Sequence, residues 1–85
     1  MAQITMYCTG VCPYCTMAER LLKRKGVEVI EKIRVDLDPP KMAEMMEKTG
    51  RRTVPQIYID ERHIGGFAEL RALDLAGELH LLLAA

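Results

Sequence analysis

Three cysteines fall in one eight-residue window of this chain: Cys8, Cys12 and Cys15. Thiols packed so closely cannot staple distant segments, which excludes a structural disulfide framework. Dithiol redox chemistry and metal binding remain. A closed zinc site wants four ligands. Cys12 and Cys15 could supply two and Cys8 a third, but His63 and His80 stand alone and there is no second C-x-x-C. The spacing therefore favours redox chemistry, with a metal site as the alternative. Cys12-Pro13-Tyr14-Cys15 follows a run of strand formers and opens a helical pattern. A helix N-terminus carries a partial positive charge and free N–H groups, so it stabilises a thiolate, and thiolate is the form that attacks disulfides. Cys12, at the helix entry, is the expected exposed nucleophile. Cys15, three positions on and on the same face, is close enough to resolve a mixed disulfide formed at Cys12. It should lie deeper, with less access and a higher pKa.

The elements that must hold these thiols alternate along the chain. Ile4-Thr5-Met6-Tyr7-Cys8 is a strand. Pro13 suits the first turn of a helix, whose buried stripe is predicted at Tyr14, Met17, Ala18, Leu21 and Leu22, with Gly26 as a left-handed stop. A second strand is expected within residues 29–36. Asp38-Pro39 pairs an N-cap with a proline at the first helical position, opening a helix with Met42, Met45 and Met46 as core filler and an end at Gly50. Pro55–Ile59 and Arg62-His63-Ile64 form a hairpin that ends at Gly65-Gly66. Phe67, Leu70 and Leu73 mark the next helical face, Gly77 interrupts it, and Glu78–Leu83 adds a final amphipathic turn or two. The order β-α-β-α-β-β-α predicts an α/β fold with a four-stranded mixed sheet: a right-handed parallel crossover, an antiparallel hairpin, and helices on both faces.

Composition sets outer bounds. Eighty-five residues, 49% hydrophobic and 28% charged, suit one globular domain spanning residues 1–85. Twelve Lys and Arg balance twelve Asp and Glu, which argues against a nucleic-acid binder. No apolar run approaches the ~20 residues that span a bilayer, so no membrane partner is expected. The opening Met1-Ala2-Gln3-Ile4-Thr5 has no basic region or long apolar stretch, and the expected setting is the cytoplasm. Cys8 is expected to be a buried strand residue, Tyr7 and Tyr58 strand packing residues, and His63 and His80 surface residues.

Cys12-Pro13-Tyr14-Cys15, Thr53-Val54-Pro55 and Gly65-Gly66 together resemble the dithiol glutaredoxins of the thioredoxin superfamily, from about Gln3 to Leu82. The stretch from Gly50 to Asp60 looks especially like the small bacterial class. The resemblance implies a thioredoxin-like fold and glutathione-dependent thiol–disulfide exchange, with Cys12 and Cys15 catalytic. It implies a cis peptide before Pro55, and a backbone at Val54 free to pair with glutathione as with an added strand. Thr53, Val54 and Pro55 would hold that tripeptide, Tyr14 would line the sulfur site, and Gly66 would let backbone approach it. The helix starting at Phe67-Ala68 would offer N–H groups to the γ-glutamyl carboxylate. No tightly bound cofactor is implied; glutathione serves as reductant. The implied partners are glutathione and disulfide-bonded or glutathionylated proteins, and a monomer is the default.

Two departures stand out. Many relatives carry Asp-Asp where this chain has Ala68-Glu69, and often Lys where it has Thr9. The missing charges would have met the ligand's ammonium and glycine carboxylate, so weaker binding at those ends is expected, with Arg51 or Arg52 taking part of the charge work. Three rivals remain open at this level: a redoxin fed by thioredoxin reductase, an iron–sulfur carrier, and a zinc-stapled binding module.

Overall fold

The computed structural model describes residues 2–84. Strand β1 (Ile4–Cys8) leads to helix α1 (Pro13–Arg24), strand β2 (Ile30–Arg34), helix α2 (Pro39–Thr49), the hairpin β3 (Gln56–Ile59) and β4 (Arg62–Gly65), then helices α3 (Phe67–Leu75) and α4 (Leu79–Ala84). The sheet order is β2-β1-β3-β4; β1 pairs parallel with β2 and antiparallel with β3, and β3 pairs antiparallel with β4. This is the four-stranded mixed sheet expected from the alternation. The last helical stretch is divided at Gly77, whose positive φ of 74° breaks the helix.

Both faces of the sheet are covered, and side-chain alternation along the strands decides which residue serves which face. Ile4, Met6 and Cys8 of β1, with Ile57 and Ile59 of β3, pack under Ala18, Leu21 and Leu22 of α1, Leu70 of α3 and Leu79 and Leu83 of α4. Tyr7 and Tyr58 point the other way, onto Met45 of α2 and Val35. Tyr7 is 1% exposed and keeps its hydroxyl satisfied by donating to Glu44 at 2.6 Å. Burial and that carboxylate together push the phenol pKa up. No helix among the described residues is long and apolar enough to cross a membrane.

Two features differ from expectation. The stripe of α1 is rotated: Cys15, Ala18, Leu21 and Leu22 are buried, whereas Tyr14 and Met17 are 60% and 43% exposed. Tyr14 and Met17 lie beside that stripe on the helix surface, and the Tyr14 ring instead meets the Phe67 ring of α3, with centroids 6.2 Å apart. Strand β2 is also shorter than residues 29–36; Val29 is exposed, and Val35 passes beyond the strand end with its N–H on the Cys8 carbonyl at 3.0 Å.

Candidate active site

The C-terminal end of β1 delivers the chain through Thr9–Val11 into α1. Cys12 is the N-cap of that helix, with extended backbone (φ −148°, ψ 100°), and Pro13 follows where a missing N–H costs nothing. The Cys12 sulfur accepts the Cys15 N–H at 3.2 Å, the place a serine or aspartate oxygen takes in an ordinary cap. The sulfur therefore sits against a free N–H at the positive end of the helix macrodipole. It also lies 3.8 Å from the Val54 carbonyl oxygen. Cys12 is half-buried, beside an exposed Val11 and Tyr14.

Cys15 is 6% exposed and part of the core under α1. Burial pushes its thiol up to about 12; a hydrogen bond with Cys12 adds to this and one from the Thr9 backbone opposes it. Cys8 is buried at the end of β1, and burial raises its pKa as well. All three cysteines are free. Among the described residues, no three His, Cys, Asp or Glu side chains converge to hold a metal ion.

Beside Cys12 runs an open groove of about 340 Å³. Its walls are Tyr14, Thr53, Val54, Pro55, Gly66, Phe67 and Ala68, together with Arg51 and Glu69. The seven residues that the resemblance implied for a tripeptide site thus line one groove. The Val54–Pro55 peptide is cis. Tyr14 and Phe67 close one side with ring centroids 6.2 Å apart. A Cβ added at Gly66 would lie 3.3 Å from the Pro55 carbonyl oxygen, so a side chain there would crowd the groove floor. A larger cavity of about 680 Å³ between the β1–β2 end and α4 contains none of these residues. The smaller groove is walled by Val54, whose carbonyl oxygen lies 3.8 Å from the Cys12 sulfur, and chemistry follows that sulfur.

Sequence reasoning missed two features. Glu69 Oε1 accepts both the Gly66 N–H at 2.7 Å and Arg51 at 2.9 Å, so the arginine expected to help with a ligand's charge already has an internal partner. Those same contacts hold the Glu69 carboxyl below its ordinary pKa. Arg52 does not line the groove. His63, expected at the surface, is half-buried, with Nε2 2.8 Å from Gln56 Oε1 and its pKa lowered by burial. A glutamine inside the otherwise apolar strand QIYI was the available signal.

The Glutaredoxin family model matches residues 4–64. A glutaredoxin of Neisseria meningitidis is 52% identical over 83 residues, 98% of each chain. The solution structure of a Brucella melitensis glutaredoxin superposes with a TM-score of 0.85 at 43% identity, over 98% of this chain and 89% of that one. The crystal structure of a buckwheat glutaredoxin–glutathione complex superposes with a TM-score of 0.89 at 26% identity, over 98% of this chain and 77% of the other. With a dithiol at a helix mouth and a thioredoxin-like sheet behind it, the chain belongs to the glutaredoxin family of thiol–disulfide oxidoreductases.

Proposed function

We propose that this protein reduces protein disulfides and glutathione mixed disulfides, with glutathione as its reductant, Cys12 as nucleophile and Cys15 as resolving thiol. The observation that carries this reading is the groove at the Cys12 sulfur, where Tyr14, Thr53–Pro55 and Gly66–Ala68 meet. The glutathione complex of the buckwheat relative supports the choice of reductant. A reducing, cytoplasmic setting agrees with three free thiols in one window.

In the dithiol route, the Cys12 thiolate attacks one sulfur of a substrate disulfide. The other sulfur leaves as thiolate and takes a proton. Cys15 then attacks the Cys12 sulfur of the mixed disulfide, forming the Cys12–Cys15 bridge and releasing the second substrate thiol. Two electrons pass to the substrate, and two glutathiones return them while becoming glutathione disulfide. In the monothiol route, Cys12 attacks the glutathione sulfur of a glutathionylated protein and frees the protein thiol. A second glutathione then attacks the glutathione sulfur on Cys12 and restores the thiol. Cys15 takes no part.

The groove backbone suits the tripeptide. No partner for the Val54 N–H is present among the described residues, which leaves it available for main-chain pairing with an extended ligand. Gly66 keeps the groove open.

A coupled assay tests the reading: NADPH oxidation with glutathione and glutathione reductase, against thioredoxin reductase alone. Turnover is expected with the first couple. Turnover only with the second refutes glutathione as reductant. Ala68→Asp, which adds a carboxylate at the groove rim to meet the ligand's ammonium, is expected to tighten glutathione binding about three- to ten-fold by isothermal titration. Unchanged affinity would show that this end of the ligand is bound without it.

A further inference from the structure

We propose that Gln56 and His63, which do not line the groove, are positioning residues that hold Thr53 in its ligand-binding posture. This rests on the glutathione reading above.

Gln56 is 0% exposed and is the buried polar side chain among the described residues. A buried amide is costly unless its hydrogen bonds are made, so its partners reveal its role. Nε2 donates to the Thr53 carbonyl oxygen at 2.9 Å and lies 3.3 Å from the Thr53 hydroxyl. A carbonyl oxygen can only accept, so the amide nitrogen must face Thr53 and Oε1 must face His63. Oε1 can only accept in turn, so His63 carries its proton on Nε2. The chain of donors runs one way, from His63 through Gln56 to Thr53.

Sheet register builds this line. Tyr58 is paired with His63 across the hairpin, and Gln56, two residues before Tyr58, points to the same face. The His63 ring rests on Tyr58, with centroids 5.1 Å apart and planes inclined by 36°. Residues 51–55 belong to neither helix nor strand. The Gln56 amide therefore supplies, from inside the fold, the anchor that a ladder hydrogen bond would give in a strand. Thr53 is exposed on the groove wall. Without the amide, its carbonyl and hydroxyl could rotate away from the posture that an extended ligand meets.

A split between two assays tests the assignment. Deglutathionylation of a glutathionylated peptide, driven by glutathione, requires the tripeptide in the groove; insulin reduction driven by dithiothreitol uses the same thiols with no glutathione present. For Gln56→Leu, KM for the glutathionylated peptide is expected to rise about five- to ten-fold with kcat within about two-fold, the size of one lost anchoring hydrogen bond. Insulin reduction should stay within about two-fold of wild type. His63→Leu should move KM the same way, and His63→Gln, which restores a donor, should return it toward wild type. If Gln56→Leu does not fold, His63→Leu, at a half-buried position, carries the test. Wild-type KM in the folded Leu variants overturns the proposal. So do parallel losses in both assays that track the melting temperature, because they mark a purely structural role. If the wild-type protein reduces insulin but never turns over with glutathione, the glutathione reading itself fails and takes the proposal with it; that failure is visible before any variant is compared.

Discussion

Cys12→Ser is expected to abolish both insulin reduction and deglutathionylation, by at least about a thousand-fold, the scale on which loss of a nucleophile acts. Serine is a preferred N-cap residue, and its oxygen can accept the Cys15 N–H that the sulfur now takes. The helix should therefore form as well as before, so lost activity would not reflect lost fold. Serine cannot form the mixed disulfide on which both routes depend. Cys15→Ser should separate those routes. Transfer of glutathione from a peptide needs only the Cys12 sulfur and should persist, while reduction of a protein disulfide through an internal bridge should fall sharply. Urea unfolding of each variant accompanies the assays. Retained deglutathionylation in Cys12→Ser would overturn the assignment of the nucleophile.

The second large effect is in pH. Burial pushes the Cys15 thiol up to about 12, with the Cys12 contact adding to it, against ~8.5 for an unperturbed cysteine. At neutral pH nearly all of Cys15 is thiol, and only the thiolate attacks the mixed disulfide. In the mixed disulfide Cys12 no longer titrates and only burial, the largest cause, keeps Cys15 raised, so the resolving step should climb with pH about ten-fold per unit from about 7 to 9. Stopped-flow release of substrate thiol from a preformed Cys12 mixed disulfide measures it. A plateau near 8.5 would mean that Cys15 titrates as an ordinary thiol.

The same burial links stability to pH. The folded state favours the neutral Cys15 thiol, so the unfolded chain loses that proton first as pH rises. The resulting stability is complete below about 8.5 and is lost progressively toward about 12. Cys8, Tyr7 and Tyr58 are also raised by burial and contribute to alkaline weakening. The part due to Cys15 is the difference between reduced wild type and Cys15→Ser in urea midpoint across that range. An identical pH profile for the two would rule it out.

Local signals carried much of this protein. The helix beginning at Cys12-Pro13, the Asp38 cap and the Gly50 stop depend on a residue and its near neighbours. Asp38 accepts the Lys41 N–H, and Gly50 takes φ 71°. The strand alternation fell the same way, because a period of two follows from backbone geometry alone. The dithiol was legible because C-x-x-C spacing at a helix start is itself a signal, and the groove residues through the family resemblance that Cys12–Cys15, Thr53–Pro55 and Gly65-Gly66 carry. Tertiary structure decided what depends on partners far along the chain. Packing on the sheet drew Cys15, Ala18, Leu21 and Leu22 of α1 into the core and left Tyr14 and Met17 exposed. The turn between strand and helix brought Glu69 back to Gly66 and across to Arg51, eighteen residues away. The register of the hairpin, with a bulge between Ile57 and Tyr58, placed His63 on the face shared with Gln56. Hydrogen bonds between side chains on different elements have no period and no fixed spacing, so only the packed sheet decides which of them form.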